Sequence, residues 1–194
     1  MTRRKSFPTI FAGVLLGLSD ALACLAQDLS RVAENLARQW TGQLEYRDFS
    51  TDQRVFLPTW LEVSRAGDGT SLRFRYIYDD GPGKIVQETS ILTLDGKQQT
   101  ATLVSEGEGS EKTSEVFKAE GLEKLVSTGR GVFVLTGTGI ENQRKVEVRM
   151  TVTCGRNSYR NERETRAPGE DFRFRHTYTF IRRQPPSMAT VSQH

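Results

Sequence analysis

The chain has 194 residues, 26% charged and 36% hydrophobic, a balance that excludes intrinsic disorder. Its formal charge of +3 is inflated by a basic start, because Arg3, Arg4 and Lys5 against Asp20 leave the chain beyond residue 26 at only +1. A near-neutral domain makes no electrostatic case for nucleic acid, and one histidine and one cysteine within residues 27–183 are too few for a zinc site.

The first 26 residues read as a secretory signal peptide. Met1-Thr-Arg-Arg-Lys5 is basic, Ile10 to Leu18 is a short apolar run, and Ala21-Leu22-Ala23 fits the small-residue cleavage rule. Cys24-Leu25-Ala26 offers a second cleavage site. Export implies a periplasmic or secreted protein. A membrane tether follows only if Cys24 is lipidated, and the stretch Ala21-Leu22-Ala23-Cys24 is a poor lipobox. Cleavage after Ala26 leaves Cys154 alone, so no intrachain disulfide forms.

Asp28 to Trp40 is expected to form a short amphipathic helix. Asp28 is a plausible N-cap, and Leu29, Val32, Leu36 and Trp40 recur at helical spacing. From Gly42 onward the period becomes two. Leu44 and Tyr46 open the first strand, and Trp60–Arg65 follows Pro58. Ser71–Tyr78 puts Leu72, Phe74, Tyr76 and Tyr78 on one face. Lys84–Leu94 and Gln99–Ser105 are joined by an Asp95-Gly96 hairpin signal. Ser114–Lys118 is a shorter strand, and Leu122–Ser127 reads as a strand or a helical turn. Gly131–Gly137 and Arg144–Cys154 follow, the latter with Val146, Val148, Met150, Val152 and Cys154 on one face. Ser158–Arg166 is polar throughout and reads as an edge strand or an extended loop. Phe172, Phe174, His176, Tyr178 and Phe180 alternate with polar residues in the last strand. Residues 184–194 form a tail expected to be disordered.

Nine or ten strands at roughly 8–14-residue spacing, with short turns and no βαβ unit, indicate an all-β meander. A meander of this size exposes two edges unless it closes. The expectation is an antiparallel up-and-down barrel of about 8–10 strands with a short N-terminal helix, occupying residues 27–183. A curved half-barrel and a sandwich are the alternatives.

Trp40-Thr41-Gly42, leading into Leu44-Glu45-Tyr46, resembles the start of a calycin, the superfamily of lipocalins and fatty-acid-binding proteins. Those proteins place a tryptophan and a glycine at the first strand after a short helix. Here the glycine follows the tryptophan, whereas in lipocalins it precedes it. Arg54–Pro58 and Tyr78–Lys84 are similar to segments of uncharacterised secreted bacterial barrel proteins. The resemblance implies a barrel with an interior ligand cavity, and it carries no catalytic residues.

The expected cavity lining is Phe74, Tyr76, Tyr78, Phe172, Phe174, His176 and Tyr178. His176 is the only histidine inside the domain, and it reads as a core histidine, a polar anchor for a ligand or an axial haem ligand. Of Glu62 and Glu88, one is expected to point inward. Arg73, Arg75, Arg149, Arg173 and Arg175 lie opposite the apolar faces, where acidic neighbours make a solvated, ion-paired surface. Asp79-Asp80-Gly81 serves a turn rather than calcium. No G-x-S-x-G occurs, and Gly81-Pro-Gly-Lys84 lacks P-loop spacing, so an enzyme rests on no motif. Two readings remain: a carrier of a small, largely apolar molecule, or an envelope interaction module with a filled core and no ligand.

Overall fold

The computed structural model describes residues 31–48, 50–67, 71–107 and 112–183. The expected signal segment, Cys24, the expected helix start at Asp28 and Leu29, and the expected tail from residue 184 lie outside them.

Ten strands run in chain order: β1 (Gln39–Arg47), β2 (Arg54–Arg65), β3 (Ser71–Asp79), β4 (Ile85–Asp95), β5 (Thr100–Gly107), β6 (Thr113–Glu120), β7 (Gly131–Glu141), β8 (Arg144–Cys154), β9 (Ser158–Arg166) and β10 (Arg173–Arg182). Each pairs antiparallel with its sequence neighbours, and β1 pairs with β10, so the barrel is closed. Closure removes both sheet edges. It also gives Ser158–Arg166 partners on each side, so this polar segment is a fully paired strand and not an edge. A barrel's width grows with strand number. Eight strands leave an interior that side chains just fill, so ten leave more room.

The helix α1 is described over residues 31–36, with Val32, Ala33 and Leu36 buried against one end of the barrel. Sequence spacing carried this helix to Trp40, but pairing with β2 and β10 takes over from Gln39. Trp40 instead opens β1, 1% exposed, and its indole Nε1 donates to the Leu36 carbonyl at 3.0 Å. Gly42 follows because β1 and β10 approach closely there. A Cβ at Gly42 would fall on the Thr179 carbonyl and 2.9 Å from the Phe180 Cα. The ambiguous stretch after β6 is the helix α2 (Leu122–Thr128), which buries Leu122 and Leu125 between two left-handed glycines, Gly121 and Gly129. Pro58 lies within β2, where the strand pairs with β1 alone. Pairing with β3 begins at Thr59, so the missing N–H leaves no gap in that ladder.

The α1 end of the interior is apolar and closed. Trp40, Leu61, Phe117, Leu122, Leu125, Leu135 and Phe180 are each 1% exposed or less. Cys154 is buried among them, and burial pushes its thiol up to about 12. Outside, three of the arginines on the polar faces are paired: Arg75 with Glu62 at 3.1 Å, Arg149 with Glu164 at 2.8 Å and Arg173 with Glu170 at 3.6 Å.

Candidate functional site

The site is a cavity of about 240 Å³ inside the barrel. Leu36 of α1, Phe133, Leu135, Met150 and Val152 supply apolar wall. Phe74, Tyr76, Tyr159 and Tyr178 supply rings. The opposite wall carries the small residues Ser90 and Ser105, whose hydroxyls hydrogen-bond to each other at 2.9 Å. Rings on β3, β9 and β10 face short side chains on β4 and β5, and the space lies between them.

Four of the seven expected lining residues, Phe74, Tyr76, His176 and Tyr178, border this cavity. Tyr78 is buried at its edge, where its hydroxyl donates to Glu88 Oε2 at 2.7 Å. That uses the only hydroxyl hydrogen of Tyr78, so the 2.8 Å contact between the two tyrosine oxygens is a bond donated by Tyr178.

Phe172 and Phe174 are the correction to the expected lining. The β9–β10 register shifts between Phe174 and His176, so Phe174 stands opposite Glu164 and His176 opposite Arg163. One extra residue, Arg175, reverses which face each later side chain takes. Phe174 therefore lies outside the cavity under the Arg54 guanidinium, 3.6 Å from the ring centre. Phe172 sits between Arg149 and Arg166, at 4.2 and 4.4 Å. Both rings serve cation–π contacts on the ion-paired surface. Arg175 forms an ion pair with Glu141 at 2.5 Å and donates to the Arg47 carbonyl at 3.1 Å.

His176 packs edge-on against Tyr178, with ring centres 5.3 Å apart. Burial, then the positive Arg163 and Arg175, hold its pKa down to about 3. The imidazole is therefore neutral at ordinary pH, with one nitrogen free to accept. Burial is also the leading reason that Tyr76, Tyr78, Tyr159 and Tyr178 all resist ionisation, and Glu88 adds to it at three of them, Tyr76, Tyr78 and Tyr178.

Arg163, Glu115 and Asn161 are lining residues that the sequence did not single out. Arg163 of β9 reaches Glu115 of β6 in a two-pronged ion pair at 2.8 and 3.0 Å, both side chains less than a fifth exposed. Gly139 makes room for this pair, since a Cβ there would lie 2.5 Å from Glu115 Oε1. The pair stands where β6 and β7 part. Their ladder covers only Phe117–Glu120 of β6, and Thr113, Glu115 and Arg163 line both the cavity and an outer groove beside Ile140 and Lys145. The third residue is Asn161. It is 7% exposed and lines the cavity, and its Oδ1 has no hydrogen-bond partner among the described residues. The signal was present in the polar strand: Tyr159, Asn161, Arg163 and Thr165 alternate with Arg160, Glu162, Glu164 and Arg166.

Of the two carboxylates weighed from sequence, Glu88 faces the cavity and Glu62 pairs outside with Arg75. Among the described residues no cluster of three histidine, cysteine or acidic side chains is arranged to hold a metal ion.

The barrel is similar to the crystal structure of Rv2717c from M. tuberculosis. The two align with a TM-score of 0.54 and 15% identity, over 82% of this chain and 98% of that one. At that identity the likeness concerns the fold. No protein-family model matches the chain, and no curated protein matches it either. The side chains inside this barrel carry the functional argument.

Proposed function

We propose that this protein is an exported, calycin-like barrel that binds a small, largely apolar molecule in its interior. The cavity carries the reading. It is mostly apolar, it receives a few converging polar groups, and one of these, Asn161 Oδ1, is a buried acceptor with no partner among the described residues. Buried acceptors are nearly always satisfied, and a ligand donor would satisfy this one. Its size of about 240 Å³ is below the roughly 300–1,000 Å³ of drug-sized sites, so the ligand is small.

The test is native mass spectrometry of the mature protein purified from its own envelope, with an absorbance scan of the same sample. A bound mass is expected. A Soret band would overturn the small-ligand reading, because a haem is larger than a cavity of about 240 Å³. A clean apoprotein mass would overturn the carrier reading in favour of a filled-core interaction module.

The bulge adds a control. Phe74→Arg, which places a cation in the cavity, should abolish uptake. Phe174→Arg, on the outer face, should leave it intact. Equal loss in both folded variants would show that the cavity is not where the molecule sits.

A further inference from the structure

The interior is charged, and the sign of that charge says what it accepts. Three charged side chains line the cavity: Glu88, Glu115 and Arg163. Arg163 is committed, because both of its terminal nitrogens donate to the two oxygens of Glu115. His176 stands beside it as a neutral imidazole. Two carboxylates against one guanidinium leave one negative charge, and it resides on Glu88. That carboxylate receives the Tyr78 hydroxyl and has no cationic partner among the described residues. Glu88 is partly buried, and a carboxylate that has lost part of its water without gaining a cation favours a positive or strongly donating group beside it.

The surroundings of Glu88 suit a positive guest. Tyr76 and Tyr178 stand with ring centres 4.8 Å apart, and Tyr76 stacks on Phe74 at 6.4 Å. Ring faces attract cations, and the attraction grows where water is excluded. Asn161 Oδ1 adds an acceptor that looks for a donor. The site thus offers a guest a carboxylate, an unpartnered amide oxygen and ring faces, while its one cation is already neutralised.

Building on the interior-binding reading above, we propose that the ligand is a small organic amine, an apolar body bearing an ammonium group that rests on Glu88 and the tyrosine rings. The apolar body lies toward Leu36, Phe133 and Val152. The N–H groups go to Glu88 and Asn161. A carboxylate-headed ligand would meet Glu88 with like charge and find Arg163 occupied.

Three probes of nearly equal shape separate the outcomes: 2-phenylethylammonium, 2-phenylethanol and phenylacetate, titrated calorimetrically into the mature full-length protein at neutral pH. The ammonium should bind at least tenfold more tightly than the alcohol, and phenylacetate most weakly. Glu88→Gln keeps an acceptor for Tyr78 and should erase the ammonium's advantage over the alcohol. Glu115→Gln releases Arg163 and should raise phenylacetate affinity about tenfold. Phenylacetate binding as tightly as the ammonium, or an ammonium preference that survives Glu88→Gln, would overturn the amine assignment while leaving interior binding in place. Absence of binding by all three probes would overturn the interior-binding reading itself, and the two failures are therefore distinguishable.

Discussion

The two ends of the barrel interior are built from the same ten strands and obey opposite rules. At the α1 end, Trp40, Phe180 and Tyr159 pack with Leu61 and Leu72, and Phe180 stacks on Tyr159 and Tyr178 at 6.1 and 6.0 Å. Nothing charged enters that core. At the far end, inward positions of the same strands hold Glu88, Glu115, Arg163 and His176, while Leu44, Leu57 and Val86 are only partly buried. The difference follows from side-chain size. Large rings on β3, β9 and β10 fill one side of the lumen, and the short Ser90 and Ser105 on β4 and β5 leave room beside the charged groups. One end supplies the stability and the other supplies the space. A site that holds charged side chains is kept in place by a core that has none.

The largest expected effect lies at the closed end. Phe180→Ala removes a ring that is 1% exposed and stacked on two neighbours, and should cost about 3–5 kcal/mol, read as a lower midpoint in urea unfolding. At the polar end, Glu115→Ala strands Arg163 and should cost about 2–3 kcal/mol, between the values for surface and fully buried pairs. Adding Arg163→Met should recover most of that loss. A double mutant no more stable than the single would show that the pair is not the unit that matters.

His176 gives the next effect. Its folded-state pKa is lowered from 6.5 to about 3, so the unfolded chain takes up the proton first. The stability it contributes is whole above pH 6.5 and is lost as pH falls toward 3, with a slope of at most about 1.4 kcal/mol per pH unit. His176→Gln should flatten that part of the stability profile, and parallel profiles would place the imidazole in water. The smallest effect returns to the closed end. Cys154, 2% exposed with its thiol raised to about 12, should resist iodoacetamide at pH 8 in the native protein and react on unfolding.

Much of this contrast was legible in the residues. Alternation in Ser71–Tyr78 and Arg144–Cys154 names the inward side chains of β3 and β8 correctly, because an antiparallel strand with one buried face must alternate. That one of Glu62 and Glu88 turns inward was legible, and the structure chose Glu88. The polar strand β9 hid its inward set for a plain reason. Hydrophobicity marks the inner face only where the interior is apolar, and here the interior held Asn161 and Arg163. Phe172 and Phe174 misled in the opposite sense, since aromatic residues at period two look inward until a bulge turns them out.

The amino-acid order alone determined the all-β class, a range of strand counts that contains the ten observed, the antiparallel sense and the buried fate of Cys154, because each rests on local periodicity and short turns. Only the tertiary structure decided that β1 closes on β10, that Arg175 is the extra residue which sends Phe174 outward, and that Arg163 meets Glu115 across 48 positions of chain. Register and closure depend on how distant strands stack around a common interior. A one-residue shift in that stacking exchanges the two faces of a strand without changing a letter of its sequence.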